Sequence, residues 1–281
     1  MSLKGIIPIN KPKDWTSFDV VNKLKYRLKP NKVGHLGTLD PMATGLLLIT
    51  VGKATKLFDI MQEKTKTYVA TFEFGILTDT LDATGNILEK GSIIPTESEI
   101  LSVLPKFIGK IDQIPPKFSA KSINGQRAYD LARNNIEFEL KSKQVEVYEI
   151  KLLSFHENML KLEITCGSGT YIRSLGRDIA KELNTFATMT ELVRTKIGQI
   201  DLNKSYDIQD IDNVEEKIIP IKDFLSFAKL ELNKNDVLKI LNGQAIDLNL
   251  NDGTYLLEDE VDVVALVKVE SNRAKMSVFL G

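Results

Sequence analysis

Apolar and polar residues alternate from Lys66 to Gly75, with Tyr68, Ala70, Phe72 and Phe74 on one side and Val69, Thr71 and Glu73 on the other. A period of two is that of a strand buried on one face. Phe18, Val21 and Leu24 share one side of a helix that Thr16 or Ser17 caps, that reaches about Leu28, and that Pro30 stops. Gly45–Val51 is short, apolar and bounded by glycines, which predicts a buried strand, and Ala54–Met61 predicts a helix. Asp79–Asn86 is polar and reads as a loop, and Thr96-x-x-Glu99 is a capping box opening a helix to about Leu104. Ile114-Pro-Pro-Lys117 is extended, because proline restricts its predecessor and lacks a donor. A short helix over Gln126–Asn134 precedes two strands, Lys143–Phe155 and Met159–Cys166, joined at His156–Asn158. An amphipathic helix over Thr170–Leu183 and a strand over Leu192–Gln199 follow. Helices and strands interleave without a regular βαβ repeat, so the predicted class is α+β with a mixed, largely antiparallel sheet.

The acidic stretch Asp207–Glu216 predicts a boundary or an exposed helix. Beyond it come a helix over 233–241, the turn Asn242-Gly243, and strands at 254–258, 262–269 and 274–280. The predicted division is residues 1–227, carrying an insertion at about 113–140, and a small β-rich unit at 228–281. A length of 281 residues suits two domains.

Composition removes several functions. One cysteine, Cys166, excludes an internal disulfide and a multi-cysteine zinc site, and two histidines, His35 and His156, argue against a histidine-rich metal site. No metal is expected. The longest apolar run, Gly45–Val51, is far short of a membrane span, and Met1–Asn10 lacks the features of a signal peptide. The expectation is a cytoplasmic protein.

The net charge of −1 hides a gradient. Residues 1–66 hold twelve Lys/Arg and five Asp/Glu, while residues 201–281 hold nine and sixteen. Lys23, Lys25, Arg27, Lys29 and Lys32 are the densest basic run. Such a run suits a phosphate backbone, though a solvated helix face is the plainer reading.

Three glycines and a proline mark Gly34–Gly45 as a turn-rich loop leading into a strand. Asp40, held extended before Pro41, is a candidate nucleophile or base; a local turn bond is the plainer reading. Tyr68, by its phase, is a core aromatic. Arg173 lies in the first turn of its helix, where a cation opposes the dipole, which suggests other employment.

The segment Gly34-His-Leu-Gly-Thr-Leu-Asp-Pro-Met-Ala-Thr-Gly45 resembles the catalytic loop of the TruB family of bacterial tRNA pseudouridine synthases, which modify uridine 55 in the T-arm. Ile9-Asn-Lys-Pro12 with Trp15-Thr-Ser17 resembles the family's opening, and Lys66-Thr-Tyr68 its second motif. Gly75-x-x-Thr78-Asp79-Thr80 with Asp82-x-x-Gly85 resembles the loop that follows. Pro115–Lys121 with Gly125-x-x-Ala128-Tyr129 is similar to the RNA-clasping insertion, Gly167–Arg173 to the arginine motif, and Glu191–Thr195 with Gly198 to the closing strand. The matches keep their order over residues 5–200.

The resemblance implies a pseudouridine synthase catalytic domain, a PUA-like or abbreviated C-terminal domain, and an isomerisation that needs no cofactor. Asp40 would be the essential carboxylate, attacking C1′, attacking C6 or removing the C2′ proton. Arg173 would hold it in a bidentate pair. Tyr68 would stack on the extruded uracil with its hydroxyl near a proton transfer. His35 would fill the vacated space in the RNA, and Leu192 would wall the flipped base. Lys11, Lys117, Lys121, Arg127 and Arg133 would clasp phosphates of the tRNA T-arm stem-loop. No membrane and no obligate protein partner are implied, and a monomer is expected. The tail at 228–281 carries six basic and nine acidic residues, which suits phosphate poorly. Two rivals are an RNA chaperone without catalysis, which would not need Asp40, Tyr68 and Arg173, and a carboxylate enzyme on a small nucleoside, which would not need the basic insertion. Cys166 reads as a small buried hydrophobe.

Overall fold

A computed structural model describes residues 3–62, 65–119, 121–123, 125–134, 136–209 and 211–281, without the side chains of Gln62 and Arg127. Four strands open the chain: β1 (Gly5–Lys11), β2 (Val33–Leu36), β3 (Thr44–Val51) and β4 (Lys66–Phe74). Among the described residues they join a sheet of ten strands. Its main path runs Tyr206–Asp207, β1, β3, Ala187–Ile197, β4, Met159–Cys166, Lys143–His156 and Gly109–Gln113, with β2 added beside β3. Two ladders are parallel, β1 with Tyr206–Asp207 and β3 with Ala187–Ile197; the others are antiparallel. The mixed, largely antiparallel α+β class expected from the sequence is the one observed.

The alternation in β4 sends Tyr68, Ala70, Phe72 and Phe74 into a core shared with Ile172, Leu175, Ile179 and Ala180 of the Ile172–Glu182 helix. That helix rests directly on an aromatic ring, since a Cβ on Gly176 would lie 2.2 Å from the Phe72 ring. The contact fixes the height of Arg173 above the sheet. A second core joins Val20, Val21 and Leu24 of helix α1 (Ser17–Arg27) to Ile7, Ile9, Leu47 and Ile49. Thr16 caps α1 through a capping box with Asp19.

Three local expectations change. The strand expected from Leu192 starts at Ala187, because its polar residues are accommodated: Thr188 Oγ1 donates to the Ile76 carbonyl at 2.9 Å and Thr190 Oγ1 to that of Thr71 at 3.3 Å. The loop at 79–86 is the tip of a hairpin between Ile76–Thr78 and Ile87–Lys90. The acidic stretch after Tyr206 is not a boundary, for Ile208, Ile211 and Val214 are buried against the α1 core; the 3-10 turn Val214–Lys217 presents exposed acids, Glu215 and Glu216.

A second sheet spans Ala228 to Phe279, in the order Ala228–Lys229, Gly253–Glu258, Val263–Glu270, Arg273–Phe279, Ile246–Asp247, with the Lys234–Leu241 helix beside it. Leu256, Val263, Leu266 and Leu280 share a core with Ile6, Leu36, Leu46 and Leu48 of the first sheet and with Leu57 of the 3-10 turn that follows β3. Lys4 adds a tie, its Nζ donating to the carbonyls of Val263 at 2.7 Å and Leu280 at 3.2 Å. The tail has its own sheet but is fused to the first sheet through apolar side chains.

Candidate active site

The loop between β2 and β3 is held from beneath. Ser17 Oγ accepts from the Leu39 amide at 2.9 Å, so the first turn of α1 grips the residue before Asp40. Lys11, at the end of β1, donates to the carbonyls of Pro12 at 2.9 Å, Trp15 at 2.6 Å and Pro41 at 3.1 Å. Its exposure is 0%. The phosphate contact expected of Lys11 is therefore incorrect: all three ammonium donors are spent on backbone inside the protein. Burial brings its pKa down to about 8, although Asp40 pulls the other way.

Arg173 sits at the centre. Its Nη2 lies 2.9 Å from Asp40 Oδ2 and its Nη1 lies 3.3 Å from Asp82 Oδ2. Nη1 also donates to the Thr80 carbonyl and Nη2 to the Phe118 carbonyl, each at 3.0 Å. The expected bidentate pair with Asp40 is thus a fork divided between two carboxylates. The Arg173 and Asp82 side chains are each 6% exposed, while Asp40 is 35% exposed. Asp82 is locked in place. Its Oδ1 accepts from Thr80 Oγ1 at 2.8 Å, the Thr84 amide at 3.0 Å and Thr84 Oγ1 at 2.6 Å. Leu81, with φ of 62°, turns the chain so that Asp82 faces inward.

Asp40 and Arg173 line a cavity of about 360 Å³ together with Tyr68, Leu192, Lys66 and Arg194. Burial raises the Asp40 pKa; Arg173 opposes that shift, and Asp82 adds to it by like charge. Burial also raises the pKa of the Tyr68 hydroxyl, and Arg194 beside it opposes the rise. Cys166 is buried and its thiol is pushed up to about 11, so it is inert. His35 is half-buried on β2, its Nδ1 enclosed without a hydrogen-bond partner among the described residues; burial first and Arg194 second lower its pKa, and the Gly37 backbone opposes the shift. Of the expected site residues, Asp40, Tyr68, Arg173 and Leu192 meet in one cavity. Among the described residues no group of His, Cys, Asp and Glu could hold a metal ion.

The insertion is anchored on the arginine helix. Gln113 Nε2 donates to the Tyr171 carbonyl at 3.2 Å and its Oε1 accepts from the Tyr171 amide at 2.8 Å. Ser174 Oγ and Arg177 Nη2 both donate to the Ile114 carbonyl, at 2.9 and 3.0 Å. Lys117 is exposed on the wall of a second cavity of about 830 Å³, between the insertion and the 77–88 hairpin. Lys121 is half-buried, its Nζ 3.3 Å from the Lys141 carbonyl. Arg133 lies over the Tyr129 ring at 4.5 Å. The Arg127 side chain lies outside the described residues.

The family model for the N-terminal domain of TruB family pseudouridylate synthases matches residues 25–172. A tRNA pseudouridine synthase B of Mycoplasma mobile is 39% identical over 99% of this chain and 96% of its own length. The protein of that name from Clostridium kluyveri is 39% identical over 96% of this chain and 93% of its own. The chain belongs to the TruB family. It is a pseudouridine synthase, and hence an isomerase.

Among solved structures, the fold of this TruB family member is similar to a chain of a Cbf5–Nop10–Gar1 complex, with a TM-score of 0.74, 24% identity, and coverage of 98% of this chain and 84% of that one. A chain of an H/ACA ribonucleoprotein bound to a substrate RNA gives a TM-score of 0.73 at 22% identity, covering 99% and 85%. Both likenesses extend through the second sheet.

Two residues of the site were not expected from the sequence: Asp82, behind Arg173, and Arg194, at the cavity. Asp82 sits in a polar turn, where nothing marks an inward carboxylate. Arg194 alternates with Leu192 on a strand, and that alternation places both on one face; the phase was the available signal. Chemically, the site offers one partly exposed carboxylate held by a guanidinium, an apolar wall and an aromatic ring.

Proposed function

We propose that this enzyme converts uridine 55 in the T-arm loop of tRNA to pseudouridine, taking the target nucleotide out of the RNA stack into the Asp40 cavity. The observation that carries this reading is the placement of Asp40: partly open, clamped by Arg173, at a cavity walled by Tyr68 and Leu192. A volume of about 360 Å³ lies at the small end of ligand pockets and suits one nucleotide, not a helix. A base inside a folded loop must therefore be extruded, at a cost of a few kcal/mol. The curated relatives named tRNA pseudouridine synthase B support tRNA as the substrate.

The reaction breaks the C1′–N1 bond, turns the uracil and forms C1′–C5; C5 gives up a proton and N1 gains one. Nothing is oxidised or reduced. Asp40 attacks C1′ or C6, or removes the C2′ proton, and the divided fork of Arg173 favours its charged form in each case. Tyr68 stacks on the uracil, Leu192 walls it, and His35 takes the place of the departed base. Lys117, Lys121, Arg127 and Arg133 contact phosphates. Residues 1–227 act as the catalytic unit, and 228–281 acts as a small second domain whose acidic balance keeps it off the phosphate backbone.

The test is position-resolved mapping of pseudouridine in a tRNA transcript, with purified protein and no added cofactor. Conversion at position 55, at a rate that falls steeply with added salt, is expected. Conversion elsewhere, or none by a folded protein that binds the transcript, overturns the assignment.

A further inference from the structure

Arg194 is 1% exposed and forms no ion pair among the described residues. A buried cation without a counterion is costly, so its hydrogen bonds must be numerous and well placed. Nε donates to the Leu46 carbonyl at 2.7 Å and Nη2 to the Gly37 carbonyl at 3.2 Å. These two carbonyls bracket the segment that carries Asp40. The backbone of Arg194 is equally confined. It stands opposite Tyr68 in the ladder with β4 and opposite Gly45 in the ladder with β3. Gly45 has a φ of 100°, and a Cβ there would lie 2.4 Å from the Arg194 carbonyl oxygen. Only a glycine lets β3 come this close. Opposed residues in a ladder hold their side chains side by side on one face, so the Arg194 guanidinium faces the Tyr68 phenol, and both line the Asp40 cavity.

We propose that Arg194 is a positioning residue for the isomerisation: one planar guanidinium ties both ends of the Asp40 loop to the Tyr68 phenol, and so sets the spacing between the carboxylate and the ring that receives the base. This rests on the reaction proposed above. A lysine could not replace it, because a single ammonium cannot span carbonyls on both sides of the loop in one plane. Arg194 also pulls down the Tyr68 pKa that burial raises, the direction expected of a guanidinium facing the phenol oxygen.

Arg194→Lys is the variant to make, followed by single-turnover rate, RNA affinity and the 13Cζ resonance of Tyr68. A loosening of about 1 Å in the loop predicts a rate lower by ~10²-fold. The stem-loop Kd is expected to stay within about twofold, because Arg194 has no surface for phosphate to reach. The Tyr68 13Cζ resonance is expected to move while that of Tyr171 does not. A wild-type rate, an equal loss of affinity, or an unmoved Tyr68 resonance overturns the proposal. Should the variant fail to fold, amide-type exchange in the wild-type protein decides: the Nε proton of Arg194 is expected to exchange slowly and to show cross-peaks to the Tyr68 ring. Exchange as fast as that of an exposed arginine overturns the placement. The resonance and exchange measurements need no turnover, so they stand even if the reaction assigned to the enzyme fails.

Discussion

Asp40 and Asp82 share one guanidinium, with Nη2 of Arg173 at 2.9 Å from the first and Nη1 at 3.3 Å from the second. The two carboxylates differ in their freedom. Asp82 is buried and bound to two threonines; Asp40 is one-third exposed and faces the cavity. Asp82 thus aims the arginine, and the arginine holds Asp40. Because the fork is divided, Asp40 receives one charged hydrogen bond rather than two, which favours its charged form against burial without tying up the whole carboxylate.

Weakening the buried carboxylate, Asp82, tests this arrangement. Asp82→Asn keeps the shape and the threonine contacts on one oxygen but removes the charge facing Arg173. A charged hydrogen bond is worth about 1.5–3 kcal/mol, so turnover is expected to fall by roughly one to two orders of magnitude with RNA affinity kept. Parallel single-turnover and filter-binding measurements check it, and equal losses in both would show that Asp82 serves binding instead.

The raised pKa of Asp40 sets the pH behaviour. Activity that needs the carboxylate is lost as pH falls through a value above the ordinary 3.8. Stability moves the other way. A carboxyl whose folded pKa exceeds its unfolded value binds a proton more tightly when folded, so its charge costs stability above the folded pKa and that cost disappears as pH falls through it. Asp40→Asn, neutral at every pH, is therefore expected to melt higher than wild type at pH 7 while losing turnover. Calorimetry at pH 7 and pH 5 checks it, with the gap narrowing at the lower pH.

Lys11 is a structural cation. Lys11→Met leaves the carbonyls of Pro12 and Trp15 without the Lys11 donor, while that of Pro41 keeps the Asp14 amide at 2.8 Å. At about 1–3 kcal/mol for each buried unsatisfied group, with partial relaxation, a loss of roughly 3 kcal/mol is expected in denaturant unfolding. The salt dependence of RNA binding by the folded variant is expected to match wild type, because no phosphate contact is removed.

The strand phases and α1 were legible because each follows from local chemistry: β4 from a period of two, α1 from a capping residue before its apolar positions. Local chemistry alone reads Asp40 as a turn residue and Tyr68 as a core aromatic; only the family resemblance points to them as site residues. Lys11 was misread because a lone lysine closing an apolar strand looks like a surface cation; the buried run Ile6–Ile9 and the following proline were the contrary signals. Asp82 was quoted within a motif but its role could not be read, since its partner lies ninety residues away in sequence and only the hairpin brings them together. The early start at Ala187 was hidden by threonines whose hydroxyls find carbonyl partners only in the folded sheet. The fusion of the tail to the first sheet had no local signature, because its apolar residues looked like the core of a separate unit.

Gly176 supplies the packing test. A Cβ at 2.2 Å from the Phe72 ring cannot be accommodated without moving the helix that carries Arg173. Gly176→Ala is expected to cost about 1–3 kcal/mol in stability, as overpacking does, and to lower turnover in protein that remains folded. Thermal melting with single-turnover rates checks both; an unchanged rate would mean that the helix height does not matter to Asp40.

The most direct measurement is the single-turnover rate of pseudouridine formation in a T-arm stem-loop by wild type, Asp40→Asn and Arg173→Lys, at protein concentrations that saturate the RNA. The arrangement predicts no product from Asp40→Asn and a rate from Arg173→Lys lower by at least ~10²-fold, both with wild-type affinity, because a single ammonium cannot serve Asp40 and Asp82 together. Product from Asp40→Asn, or a near wild-type rate from Arg173→Lys, would contradict a centre built on the Asp40–Arg173 pair.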